Sequence, residues 1–429
     1  MKSIKLLLVG DIHYPDVKSA LAIADYKDTA YPSDLAKISI PDKLQNVARE
    51  ISRLRDDDEC IAGILLCGDL TTHGDLDGYR DCVKYLNEAL RLSDSTIWRN
   101  EHVHIVPGNH DVDRKLCDGS DFFQKFIPLV EAWSGPPQRD FTAKGSRHTV
   151  IEKNGIGAAI FSLNSCVGCG EKRFLPEKVR EDLSGILSKA FREDSINGFD
   201  LVGEQLDTPA FVEGDISNVV TAIGQMGQNY LPIVLAHHNI LPQAAPRIAL
   251  YTEAINGGLV RSRLTHCLSP VIYCHGHIHT DPIEIIQTAS GNGSSVVSLS
   301  IPPLIDGFDV LEVHFGHKDF PVGCTIHRHR VQSDGGVLCI QEKDVRVPVH
   351  SGKLHDHMDD RMIAILKSVK HDKYLRFDAL ITPIHRKFRK QFSENAIAKY
   401  LLEAEWLGLV EILNREEQPK VWQVRKTQP

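Results

Sequence analysis

The sequence predicts an α/β fold: two β-sheets packed together, helices outside, and a smaller helical unit at the C-terminus. Three observations predict it. Short apolar runs alternate with helical stripes through about the first 280 residues. Strand patterns alone follow from 283 to 342. The final 70 or so residues return to helical periodicity. Alternation followed by a run of strands points to two packed sheets with helices on their outer faces. At 429 residues the chain is also too long for one small domain.

Each element can be justified in order. IKLLLVG (4–10) is a strand, a short apolar run that stops at Gly10-Asp11. PDKLQNVAREISRLR places Leu44, Val47, Ile51 and Leu54 on one helical stripe, with Asp42 as the expected cap. IAGILLC (61–67) is a second strand, and DCVKYLNEAL a second helix with Cys82, Val83, Leu86 and Leu90 on its face. HVHIV (102–106) is a third strand and SDFFQKFIPLVEAW a third helix. TVIEK and GAAIFSL (157–163) are further strands. Between 165 and 230 the pattern weakens, with helices expected near 176–191 and 215–228. LPIVLA (231–236) is a strand, GGLVRSRLTHCL a helix and SPVIYC (269–274) a strand. IEIIQ, SVVSLSI, DVLEVHF, CTIHRHRV and VLCIQ complete the strands. There is no internal repeat and no low-complexity tract.

RVPVHSGKLHD (346–356) reads as a linker, which divides the chain into domains at 1–345 and 357–429. In the second, 357–371 is an amphipathic helix with Met362, Ile363, Leu366 and Val369 on its face. RFDALITPIHRKFRKQF is the next helix. Ser393 then caps ENAIAKYLLEAEWLGLVEIL, whose core is Ile397, Leu401, Leu402 and Trp406. NREEQPKVWQV closes the chain as a turn and strand. Three helices and a β-wing resemble a winged-helix domain.

The bulk composition excludes several classes. With 42% hydrophobic and 25% charged residues the chain is an ordinary globular protein. The net charge of −8 is uneven: from residue 351 onward 15 Lys and Arg face 11 Asp and Glu, a net of +4, leaving −12 for residues 1–350. An acidic body with a mildly basic tail is far from the balance of a dedicated nucleic-acid binder. The opening MKSIKLLLVGDIH has too brief an apolar run for a signal peptide. No stretch approaches the ~18 apolar residues of a membrane span, so no membrane role and a cytoplasmic location are expected. Of ten cysteines, Cys67, Cys274 and Cys339 fall in strands and Cys82 in a helix, where a thiol acts as a small buried hydrophobe. One CxxC occurs, Cys166–Cys169 in SCVGCGEK. Without a second pair or a histidine pair at finger spacing, it does not by itself make a zinc site.

The polar residues at strand ends carry the chemistry. VPGNHDVDR (106–114) sets an amide, an imidazole and a carboxylate (Asn109, His110, Asp111) straight after a strand and the turn pair Pro107-Gly108. The first strand ends in Asp11 and His13, the second in Asp69, LPIVLA in His237 and His238, and VIYC in His277 and His279. C-terminal strand ends line up along one sheet edge, so these groups converge. Seven protein ligands are too many for one tetrahedral ion. They suit two ions of higher coordination that share a carboxylate. Mixed oxygen and nitrogen donors without thiolate fit manganese, iron or zinc, and manganese is the metal expected. Two such cations ~3.5–4 Å apart make hydroxide from bridging water for in-line attack, and they neutralise charge on phosphoryl oxygens.

DxH, GD, GNHD, an HH strand end and GHxH, in that order, resemble the calcineurin-like metallophosphoesterase superfamily across about residues 4–345. The resemblance implies that Asp11, His13 and His279 hold one metal. It implies that Asn109, His237 and His277 hold the other and that Asp69 bridges the two. It gives His110 contact with the scissile phosphate and protonation of the leaving oxygen. Asp111 would orient the loop or His110. His238 would line the substrate cleft, His275 is structural, and His73 is a candidate substrate contact. Where protein Ser/Thr phosphatases carry an Asp and an Arg after the bridging carboxylate, this chain has Thr72 and His73. The pattern is nearer the bacterial phosphodiesterase and nuclease branches.

The implied protein is a dimetal hydrolase of phosphodiesters, with a nuclease among the readings. Alternatives are a phosphoesterase of cyclic or other nucleotides with a structural tail, and an inactive scaffold. For the tail, HRKFRK (385–390) favours nucleic acid, whereas Glu394, Glu403 and Glu405 against Lys399 alone favour a protein partner or a homodimer contact.

Overall fold

A computed structural model of the chain describes residues 1–15, 39–57, 61–92, 102–117, 119–133, 143–192, 207–242, 253–279, 282–287, 294–334, 337–349, 357–388 and 392–427. Two six-stranded sheets form the body. The first runs in the order β12 (Val337–Pro348), β11 (Pro321–Asp334), β10 (Gly307–Phe315), β1 (Lys2–Val9), β2 (Ile61–Leu66), β3 (Val103–Ile105). The second runs β4 (Arg147–Lys153), β5 (Ile156–Ser162), β6 (Tyr230–Leu235), β7 (Val271–His275), β9 (Val296–Ser300), β8 (Ile283–Ile286). Strands β1, β2 and β3 are mutually parallel, as are β5, β6, β7 and β9. The strand run after 283 is shared: its first two strands finish the second sheet, and its last three extend the first.

The central strands β5, β6, β7 and β9 are mostly apolar because both their faces are covered, whereas the edge strands β4 and β12 carry exposed polar side chains. In β1 the side chains alternate. Leu6 and Leu8 enter the layer between the sheets with Leu65, Ile160, Ile233, Leu235, Ile272 and Leu299. Leu7 and Val9 face outward with Ile64 and Leu66, under helices α1 (Ile40–Asp57), α2 (Leu76–Leu90) and α3 (Ile127–Trp133). Beyond α4 (Glu177–Arg192), helices α5 (Glu213–Gln225) and α6 (Gly257–Thr265) cover the second sheet, packing Ile216, Val219, Ile223, Val260 and Leu264 on Phe161, Val234 and Tyr273. Each such side chain, fully buried, stabilises by roughly 1.5–3 kcal/mol. Among the described residues no helix is long and apolar enough to cross a membrane.

The C-terminal residues form α7 (Asp360–Ser368), α8 (Phe377–Lys387), α9 (Glu394–Trp406) and a small sheet in the order β13 (Leu375–Arg376), β15 (Gln423–Lys426), β14 (Val410–Leu413). Their core includes Met362, Ile365, Phe377, Leu380, Ile397, Leu401 and Trp422, and it also takes in Val322 of β11. Gly323 makes that junction possible, because a Cβ there would lie 2.3 Å from the Trp406 ring.

Several boundaries differ from expectation. The cap of α1 is Ser39, whose Oγ accepts the Asp42 N–H, rather than Asp42 itself. The third helix is only Ile127–Trp133, preceded by a 3-10 turn at Gln124–Phe126. The expected linker begins too early, since Arg346 and Val347 pair with Thr325 and Cys324 in a long ribbon. Residues 350–356 of that linker lie outside the described residues. The last helix stops at Trp406: Gly408 adopts φ 70°, Leu409 N–H closes back on Ala404 O, and VEIL continues as a strand. Cys67, Cys82 and Cys274 are buried, but Cys339 sits on the exposed face of β12.

Candidate metal centre

The C-terminal ends of β1, β2 and β3 meet those of β6 and β7 at one rim of the sandwich, and the predicted residues gather there. Asp11, His13 and His279 bring their donor atoms within 4.8 Å of one another. So do Asp11, Asp69 and His237, and also His237, His238 and His277. Asn109 joins them through its Oδ1, 3.0 Å from His237 Nε2. His13 Nε2 is 3.7 Å and His237 Nε2 3.2 Å from Asp69 Oδ2, while His279 Nε2 is 3.6 Å from Asp11 Oδ1. The backbone helps join the sheets, because His277 N–H donates to Asp11 Oδ1 at 3.1 Å.

The local chain is bent to present these groups. Asp11, His13, Asp69, His277 and His279 all have φ between 43° and 69°, the left-handed region that costs an ordinary residue of order 1 kcal/mol or more. Sharp turns aim each side chain back across the rim. Gly108, in extended backbone, is needed for close approach instead, since a Cβ there would fall 2.0 Å from Asp69 Oδ1.

The donor chemistry fits cations. His237 Nδ1 lies 2.8 Å from the Cys67 carbonyl, which only accepts, so Nδ1 carries the hydrogen. Its Nε2 then faces two oxygens, Asp69 Oδ2 and Asn109 Oδ1. Burial alone would raise the Asp69 carboxyl, but His237, His110 and His13 beside it hold it well below the usual range. Burial works against charge on His237 too, yet the Asp69 carboxylate pushes that imidazole up to about 10. A dry cluster of this kind is held together by a positive charge on the ring, and a divalent cation supplies more. Imidazole nitrogens, carboxylates and one amide oxygen are the set expected of manganese, iron or zinc.

The neighbours differ in what they do. His110 N–H donates to Asp69 Oδ1 at 2.9 Å, and its ring lies 5.1 Å from that of His13. Its Nδ1 faces the Thr72 carbonyl at 3.3 Å, which leaves Nε2 as the other ring nitrogen. The Asp111 carboxylate turns onto the backbone N–H groups of Gly108, Leu70 and Thr71, at 2.8, 3.1 and 3.0 Å. It binds the GD loop to the GNHD loop. Burial and the Asp69 charge push its carboxyl up to about 6 despite those donors. His238 contacts the rings of His237 and His277 and sets Nδ1 2.9 Å from Ser165 Oγ. His275 is buried, its Nδ1 3.1 Å from the Gly276 carbonyl, and burial lowers it to about 4. His73 is half-buried and enters none of the donor trios.

Sequence reasoning missed Asp207. It lies in the stretch whose pattern was too weak to read, and the fold carries it to the rim. Its Oδ2 accepts from Asn109 Nδ2 at 3.1 Å, which turns the amide oxygen toward His237. Arg114 grips both Asp207 oxygens and also donates to the Asn109 carbonyl at 3.2 Å. Burial opposes charge on Arg114, and Asp207 overrides it, raising an already high pKa further.

Acid and imidazole trios at the rim of a two-sheet sandwich define a class of protein, the metal-dependent hydrolases of phosphoesters. Within it, the chain belongs to the calcineurin-like phosphoesterase family, whose sequence profile matches residues 4–281. The family works with two divalent metals, and the His and Asp groups here are candidates to hold them. No curated protein sequence matches the chain. Among solved structures, "GAP50 the anchor in the inner membrane complex of Plasmodium" aligns over 82% of this chain and 91% of its own, with 10% identity and a TM-score of 0.42. Vacuolar Protein Sorting 29 from Cryptosporidium parvum aligns over 80% and 98%, with 10% identity and a TM-score of 0.29. A 5'-nucleotidase precursor from Thermus thermophilus aligns over 88% and 62%, with 13% identity and a TM-score of 0.41. Scores at this level carry neither function nor substrate.

Proposed function

We propose that the protein hydrolyses phosphodiester bonds with two divalent cations, manganese being the metal expected. The observation that carries this reading is the convergence of Asp11, His13, Asp69, Asn109, His237, His277 and His279 from five strand ends on one rim. Asp11, His13 and His279 would hold one cation, Asn109, His237 and His277 would hold the other, and Asp69 would serve both. When bound, the cations supply Lewis acidity and a nucleophile drawn from water. His110 then donates a proton from Nε2 to the leaving oxygen, oriented by its Nδ1–H bond to the Thr72 carbonyl. Asp111 fixes the loop that carries His110. His238 and His73 are the proposed substrate contacts. Diesters are favoured because Arg114, the guanidinium in GNHDVDR, is committed to Asp207 rather than offered to a doubly charged monoester.

Residues 1–345 are the proposed catalytic domain and 357–429 a winged-helix-like module. A second reading, a small-diester or nucleotide hydrolase with a structural module, is favoured by one observation. Helix α9, which would enter a nucleic-acid groove, is packed on the body through Glu403 and Trp406.

Purified protein with Mn²⁺, Fe²⁺ or Zn²⁺ would be tested on a chromogenic diester, a monoester, cyclic nucleotides, and single- and double-stranded DNA and RNA, beside Asp69→Ala. Diester turnover abolished by Asp69→Ala is the expected result. Turnover of the monoester alone, or of nothing with any metal, would overturn it. Strand cleavage identifies a nuclease, and cyclic-nucleotide turnover alone identifies the second reading.

A further inference from the structure

We propose that Cys166, Cys169 and His238 form an additional metal site, for one thiophilic cation such as Zn²⁺, beside the dimetal donor set. In sequence the CxxC has no partner. The fold supplies one from 72 residues away. Strands β5 and β6 are parallel neighbours, with Ser162 opposite Leu235, so the chain just past β5 meets the chain just past β6. The first chain carries Ser165 to Cys169 and the second carries His238. Cys169 N–H closes on Cys166 O at 3.0 Å, a tight turn that draws the two thiols together.

The distances suit a tetrahedral ion. Bonds of ~2.3 Å to sulfur and ~2.0–2.1 Å to nitrogen place a sulfur and a nitrogen donor about 3.6 Å apart, and two sulfurs about 3.8 Å apart. Cys166 Sγ and His238 Nδ1 are 3.8 Å apart, and all three donor atoms lie within 4.8 Å of one another. Each residue is wholly buried. The backbone N–H of His238 donates to Ser165 Oγ at 3.1 Å and fixes the residue; its Nδ1 lies 2.9 Å from the same hydroxyl, a contact that an ion bound at Nδ1 would replace. Cys117 Sγ lies 4.0 Å from the Cys169 carbonyl and offers a further thiol at this turn. A divalent ion that binds here displaces the two thiol protons to solvent and leaves a Cys₂His complex.

The site stands apart from the dimetal donors in chemistry and touches them in structure. Among the described residues no other donor trio contains a cysteine. The His238 ring also packs on His237 and His277, and Cys166 Sγ–H donates to Pro107 O at 3.2 Å, at the start of the loop that bears Asn109 and His110. An ion bound here replaces that S–H bond and ties the 165–169 turn directly to His238, on the segment that carries His237.

The test uses full-length, reduced, metal-free protein titrated with Co²⁺. Oxygen and nitrogen donors give only weak visible bands, whereas thiolate ligation adds an intense near-ultraviolet charge-transfer band. That band is expected with one equivalent of Co²⁺ beyond those taken by the dimetal donors. It should disappear in Cys166→Ser and Cys169→Ser and persist in Asp69→Asn. Mass mapping of unmodified protein gives a second measure that needs no variant: Zn²⁺ should slow alkylation of Cys166 and Cys169 at least tenfold. Saturation with Co²⁺ without the band, a band that survives the double Cys166→Ser/Cys169→Ser change, or alkylation indifferent to Zn²⁺ would overturn the proposal.

Discussion

His110 and Asp111 are adjacent in sequence and face different tasks. The Asp111 carboxylate is spent on loop backbone, whereas the ring of His110 stands beside His13 at the rim. His110→Ala is therefore expected to slow diesters with poor leaving groups by about a hundredfold and those with good leaving groups far less. A plot of rate against leaving-group pKa checks this, and equal slowing across the series would remove the acid role. Asp207 acts through Asn109, so Asp207→Ala should weaken Mn²⁺ binding about tenfold or more, measured by calorimetric titration. Unchanged affinity would reduce Asp207 to an anchor for Arg114. At this scale the gathering of these side chains on one rim was readable, because each follows within four residues of the end of an apolar strand. Asp207 was not, because nothing local marks a lone carboxylate in an irregular stretch that only tertiary folding brings to the rim.

Among the elements, strands were read more faithfully than helix ends. A strand buried on both faces announces itself as a short apolar run, as in β1 and β6. A helix end depends on one backbone turn, and the apolar periodicity of LGLVEIL carried the α9 prediction past Gly408. The same helix shows why charge alone misled. Glu403 was weighed as a repulsive surface acid, but it is 1% exposed. It accepts the His317 backbone N–H at 2.8 Å and lies 3.0 Å from His317 Nδ1, with His357 also beside it. Burial would raise its carboxyl, but the two histidines and that N–H bring it down to about 2. The folded state thus prefers the ionised form more than the unfolded chain does. This stabilisation is complete above the ordinary Glu pKa of about 4.3 and is lost as pH falls toward 2. Denaturant unfolding between pH 5 and 2 should show a loss in the native protein that is much smaller in Glu403→Gln. At neutral pH that variant should be less stable by about 3 kcal/mol, and an identical pH profile in both would refute the assignment.

Across the whole molecule, the C-terminal unit is fastened to the body rather than strung beside it. Trp406 seats on Gly323, Val322 joins the core of the unit, and Arg346 pairs with Glu416. Removal of residues 350–429 should therefore destabilise the remainder by about 3 kcal/mol or more, seen as a lower Tm and a lower soluble yield. An unchanged Tm would make the unit an independent appendage. Of the basic run 385–390, Arg386 and Lys387 are exposed at the end of α8, and residues 389 and 390 lie outside the described residues. A salt-sensitive contact through this unit would start from Arg386 and Lys387 rather than from α9.

One leaf of the sandwich delivers Asp11, His13, Asp69 and Asn109, and the other delivers His237, His277 and His279. Slippage of one leaf past the other by a single residue, about 3.3 Å, would take the imidazoles out of reach of the carboxylates. The oily filling between them thus works as an alignment gauge for chemistry performed at its border. A hollow cut deep in that filling, as in Ile233→Ala, should cost about 2–5 kcal/mol of stability. It should also loosen the grip on Mn²⁺, although Ile233 lies well back from the border on β6; a calorimetric affinity equal to that of the native protein would show that the two leaves keep register by other means.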